Sequence, residues 1–179
     1  MTKKTIRKTG KKALTAKSKL STVPSTALKP GSKLPKFALP ASDGTTVSSE
    51  QLSKGIVVLY FYPKADTPGC TVEACGFSDA IARYRKLGVP VFGVSPDPIK
   101  PVEKFAAKFK LKFPLLADED HSVCEQFGVW VEKRMYGRKY MGAARTTFIV
   151  RDGQIAHVFE QVKPDAHEGE VLEWLKANR

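Results

Sequence analysis

Two of the three cysteines in this 179-residue chain, Cys70 and Cys75, stand five residues apart in the stretch YPKADTPGCTVEAC, residues 62–75. A thiol does its chemistry as the anion, which attacks electrophilic oxygen or sulfur and passes through reversible oxidation states. Cys70 follows Pro68 and Gly69, and proline suits the first turn of a helix. At a helix N-terminus the unpaired N–H groups and the macrodipole favour an anion, so this placement predicts a reactive thiolate at Cys70. In an ideal helix a five-residue step separates Cα atoms by roughly 8.6 Å, beyond the ~7 Å that a disulfide can span. The two cysteines can therefore bridge only if the first turns of the helix unwind. A redox cycle can use such a step as a switch, whereas a structural staple should not require it.

Other readings of the same residues stand beside this one. Two cysteines can act simply as small buried hydrophobes. A zinc site is disfavoured, because the four-residue gap is wider than the usual pair spacing and no second Cys/His pair stands nearby. A thioredoxin-type dithiol would have two residues between its cysteines. Thr67 could be only a helix cap, Pro63 only a strand terminator, and Arg145 only a surface ion-pair partner.

The surrounding elements must position this stretch. Residues 55–62, GIVVLYFY, form a β-branched and aromatic run that predicts a central strand buried on both faces. After the cysteine loop, Phe77, Ile81 and Tyr84 fall at i, i+4 and i+7, one apolar stripe of a helix that Gly88 ends. Residues 89–95 predict a second buried strand. A helix follows with Pro101 in its first turn, then a short strand at FPLLAD and a short helix closed by Gly128. Two β-rich runs around Asp152-Gly153 predict a hairpin, and a last helix over about 166–177 carries Val171, Leu172 and Leu175. Alternating strands and helices with a late hairpin predict an α/β fold, a mixed central sheet flanked by helices.

Charge divides the chain unevenly. Of 30 basic residues, 11 lie in residues 1–36, ahead of the first acidic residue, Asp43. The remainder holds 19 basic and 18 acidic residues and is nearly neutral, so the high isoelectric point describes a tail. Residues 1–33 are rich in Lys, Thr, Ser and Ala and poor in large apolar residues, which predicts a disordered basic tail before a domain over 34–179. That tail fits a solvated segment or a contact with a polyanion. An odd cysteine count points to a reducing compartment. No apolar run is long enough to span a membrane, and none follows the N-terminal lysines as in a secretory signal; cytoplasm is the expectation. Cys124, beside Val123 and Phe127, reads as a core thiol. His121, His157 and His167 lack ligand spacing, and Trp130 and Trp174 read as packing residues.

The stretch YFYPKADTPGCTVEACGF resembles the active-site segment of the peroxiredoxins, with its Pro-x-x-x-Thr-x-x-Cys pattern, and the C-x-x-x-x-C spacing resembles the peroxiredoxin Q or bacterioferritin comigratory protein subgroup. The resemblance continues through LLADEDHSVCEQFGVWVEK, RTTFIV and HVFE to VLEWLKAN. It implies a thioredoxin-like fold and thiol peroxidase activity on hydrogen peroxide and organic hydroperoxides. Carried over by position, it makes Cys70 the peroxidatic cysteine and Cys75 the resolving cysteine that closes an intramolecular disulfide. It makes Thr67 a hydroxyl bonded to thiolate and peroxide, Pro63 a shield against water, and Arg145 the cation that steadies the anion. It implies thioredoxin or a related dithiol as reductant, no metal or organic cofactor, and a catalytic cycle that a monomer can complete. A general thiol–disulfide oxidoreductase, or a polyanion-binding protein working through its tail, are the alternatives.

Overall fold

A computed structural model describes residues 27–135 and 137–178. The first strands, β1 (Ala38–Pro40) and β2 (Thr46–Ser48), pair antiparallel across the Asp43-Gly44 turn. The apolar run anticipated as a central strand is β3 (Ile56–Phe61), and it does sit at the centre of a five-stranded sheet. On one side it pairs in parallel with β4 (Val91–Ser95), which pairs in parallel with β5 (Leu115–Ala117). On the other it pairs antiparallel with β8 (Thr146–Arg151), which turns into β9 (Gln154–Phe159). The β8–β9 turn places both Asp152 and Gly153 at positive φ, 48° and 74°, the geometry of the tight hairpin turn that Asp-Gly favours.

Period-two alternation along β3 separates two apolar layers. Val58 and Tyr60 face the layer formed with α1 (Pro68–Lys86), α2 (Ile99–Lys108) and α4 (His167–Ala177). Val57, Leu59 and Phe61 face the opposite layer, which holds β1, β2 and α3 (Ser122–Gln126). Burial on both faces is why β3 reads as an unbroken hydrophobic run. The α1 stripe is as the periodicity predicts: Phe77, Ile81 and Tyr84 are all buried, and the helix stops at Leu87 just before Gly88. Val171, Leu172 and Leu175 bury α4, whose backbone carbonyl at Glu168 accepts the Tyr84 hydroxyl at 2.6 Å.

Two features differ from the sequence reading or extend it. An antiparallel ribbon, β6 (Trp130–Met135) with β7 (Arg138–Ala143), lies outside the central sheet and has no counterpart in the periodicity analysis. Residues 27–33, assigned above to the tail, include backbone bonds from Gly31 to the Ile155 carbonyl and from Ile155 to Ser32, and Leu28 packs on the second layer. The rest of that basic tail, residues 1–26, lies outside the described residues.

Candidate active site

The end of β3 delivers the chain into the loop that carries the cysteine motif. Pro63 is half-buried immediately beyond it, and Asp66 turns the backbone through φ 56° into the start of α1. Thr67 is the N-cap, Pro68 the first helical residue and Cys70 the third. Proline has no N–H to lose at that position, so α1 starts there without penalty. The Thr67 side chain does not cap the helix; its hydroxyl donates to the Lys64 carbonyl at 3.1 Å, and its own carbonyl accepts from Thr71 at 2.8 Å. The cap reading of Thr67 is thus correct for its backbone and not for its side chain. The first-turn N–H groups, which lack intrahelical acceptors, surround Cys70 with partial positive charge.

Cys70 is 1% exposed. Its sulfur accepts a hydrogen bond from Arg145 Nη2 at 3.3 Å. Arg145 comes from the two-residue link between β7 and β8, 75 positions away in sequence, and its guanidinium is largely buried. Gly69 makes the approach possible: a Cβ there would stand 3.3 Å from that same Nη2 and 3.6 Å from Pro164 Cγ. The surface ion-pair reading of Arg145 therefore gives way to a buried contact with the Cys70 sulfur.

The other arm of the guanidinium, Nη1, is paired with Glu73 Oε2. Glu73 lies one helical turn beyond Cys70 and is 1% exposed. Burial pushes its carboxyl up to about 7, against the opposing pull of Arg145. Its second oxygen, Oε1, is buried without a hydrogen-bond partner. A buried carboxyl half-satisfied in this way is costly to keep charged. Arg145 in turn is held cationic chiefly by Glu73 and by Cys70, which outweigh its own burial. Glu73 is not singled out by residue type alone, yet the sequence carries a signal for it. Position 73 falls between Cys70 and Phe77 on the inward stripe of α1, where a carboxylate has no business without a partner.

Cys75 lies on the same intact helix, half-buried and reduced, and its thiol is raised by burial and by Asp79. Cys124 is fully buried on the opposite side of the sheet, and burial and Asp118 raise its thiol strongly, which suits the inert core role expected of it. His167 is buried and hydrogen-bonded at both ring nitrogens, to Thr147 at 2.8 Å and Glu170 at 3.2 Å; it fastens α4 to the sheet. Trp174 stacks on His157 and Trp130 on His121. No cluster of residues that could hold a metal ion occurs among the described residues, and no helix among them is long and apolar enough to cross a membrane.

The arrangement gathers a cysteine sulfur, a guanidinium and a helix N-terminus at one point. It can bind a small molecule whose reaction puts negative charge on oxygen, and it can donate two electrons from sulfur. Residues 30–158 match the AhpC/TSA family. The chain is 49% identical over 150 residues to the peroxiredoxin Bcp of Escherichia coli K12, covering 83% of this chain and 96% of that one. Among solved structures, a mutant PrxQ of Xylella fastidiosa superposes with a TM-score of 0.81 at 34% identity, covering 86% of this chain and 98% of the other. A Xanthomonas campestris peroxiredoxin Q superposes with a TM-score of 0.74 at 38% identity, covering 79% and 90%.

Proposed function

The chain belongs to the AhpC/TSA family and is a peroxiredoxin, a thiol peroxidase with a thioredoxin-like fold, and from that premise we propose that Cys70 is its peroxidatic and Cys75 its resolving cysteine. The thiolate of Cys70 attacks the terminal oxygen of a hydroperoxide. An S–O bond forms, the O–O bond breaks, and the other oxygen leaves as an alkoxide or hydroxide that takes a proton from solvent. Sulfur has lost two electrons and Cys70 is a sulfenic acid. The Cys75 thiolate then attacks that sulfur, expelling the hydroxyl group as water after protonation and leaving a disulfide. A thioredoxin-type dithiol restores both thiols by exchange.

The observation that carries this reading is the hydrogen bond from Arg145 to the Cys70 sulfur at the start of α1. The same donors that hold the thiolate face the oxygen on which charge develops as the peroxide bond stretches, and donors fixed beforehand cost no reorganisation at that moment. Thr67 and Pro63 border the approach: the threonine is tethered by its bond to Lys64 and can bond an incoming oxygen, and the proline ring limits water. Both cysteines lie on one helix, so resolution requires only one chain.

Arg145→Met tests the assignment against a general disulfide oxidoreductase. Peroxide reduction should fall by about 10²–10³-fold, while disulfide exchange of the reduced protein with a small disulfide should change only a few-fold. Equal losses in both reactions, or no loss in either, would contradict the proposed role.

A further inference from the structure

The β6–β7 ribbon carries a lysine with an unusual placement. Lys133 is half-buried, and its ammonium group donates to the Ala143 carbonyl at 2.5 Å. Across the ribbon Lys133 is level with Tyr140, so its side chain runs along β7 toward the site and away from the open end. The stem passes Gly142, where an added Cβ would lie 3.6 Å from Lys133 Cδ. Ala143 is fully buried and ends β7, two residues before Arg145. The link that carries Arg145 is pinned at three points: Lys133 to the Ala143 carbonyl, Ala144 N–H to the Val129 carbonyl at 2.7 Å, and Val162 N–H to the Arg145 carbonyl at 3.3 Å.

We propose that Lys133 is a positioning residue of the peroxide site, holding the link that carries Arg145 in place through the Ala143 carbonyl. This rests on the reading of Cys70 given above. Lys133 spends one of its three donors on Ala143. The charged groups that act on it are Arg145, which repels it, and Cys70, which attracts it; burial is the larger influence and, like Arg145, lowers its pKa. The other charged groups of the ribbon are exposed, and among them Glu132 pairs with Lys139 at 3.2 Å and with Arg134 at 3.9 Å.

The test compares Lys133→Gln, whose uncharged amide stops one atom short of the position from which the ammonium reaches the Ala143 carbonyl, with Lys133→Arg, which keeps a long cationic donor, in the full chain. Alkylation of Cys70 by iodoacetamide, followed by peptide mapping between about pH 5 and pH 9, reads the thiolate without peroxide. Lys133→Gln should move the midpoint of that profile up by roughly one pH unit and slow alkylation about tenfold on its acid side. On the alkaline side the two proteins should converge, and Lys133→Arg should follow the wild type. A superimposable Lys133→Gln profile, or a uniform change with no shift of midpoint, overturns the inference. Peroxide consumption by the wild-type protein is read separately, so a wrong assignment of Cys70 is distinguishable from a wrong assignment of Lys133.

Discussion

Glu73 lies between the two cysteines, so any unwinding of α1 that lets Cys75 reach Cys70 must pull Glu73 out of its buried site. In the folded helix its carboxyl sits at about 7; in an unwound, hydrated segment it returns to its ordinary 4.5. The difference of 2.5 pH units corresponds to about 3.4 kcal/mol of linkage. The sign follows from which state holds the proton. Below pH 4.5 the carboxyl is neutral in both states, and its burial carries no ionisation cost. As pH rises toward 7 only the unwound state ionises, so the folded helix loses stability relative to it; above 7 both are charged and the loss is complete. The opening equilibrium should therefore rise about 70-fold between pH 5 and pH 8. Glu73→Gln is neutral throughout and removes this dependence. Rapid-quench trapping of the Cys70 sulfenic acid with dimedone, after one equivalent of peroxide, measures how fast the disulfide forms in each protein. The ionisation of Cys75 contributes equally to both, so the ratio of wild-type to variant rates isolates Glu73. That ratio should climb about 70-fold over the interval. A ratio that stays flat would refute the idea that burial of this carboxyl holds the helix closed.

Further outcomes test other parts of the site and fold. Cys75→Ser should consume the first equivalent of peroxide at the wild-type rate, lose turnover with a thioredoxin system, and accumulate sulfinic acid at Cys70 by mass spectrometry. Gly128 has φ 70°, and a Cβ there would fall 2.2 Å from the backbone nitrogen of Ala27. Gly128→Ala should therefore cost at least about 2 kcal/mol and lower Tm by roughly 4–8 °C in thermal unfolding.

The parts of this protein visible in its sequence are those whose environment is uniform. β3 is apolar at every position because both its faces are buried, and α1 repeats at helical spacing because one face packs on the sheet. The Asp152-Gly153 turn is legible because its backbone needs positive φ at both residues. Cys70 is legible because Pro68 and Gly69 mark the helix start where an anion is favoured. The β6–β7 ribbon was hidden because it carries Glu132, Lys133, Arg134, Arg138 and Lys139 within residues 132–139, with no apolar alternation long enough to count. Glu73 and Lys133 were passed over because a charged residue in a helix or ribbon ordinarily faces water. Only the fold shows that Arg145 arrives to pair with the inward Glu73, and that the Ala143 carbonyl takes the Lys133 ammonium. Spacing alone could propose Arg145 only by resemblance, since long-range proximity leaves no trace in a local pattern.

The central claim is that Cys70 is the sulfur that peroxide oxidises and that its partner is five residues along the same helix. Peptide mapping of the full chain after one equivalent of hydrogen peroxide tests both halves together. One bridge is expected, Cys70 to Cys75, with Cys124 still a free thiol. A bridge from Cys70 to Cys124, or oxidation confined to Cys75 or Cys124 with Cys70 untouched, would contradict it.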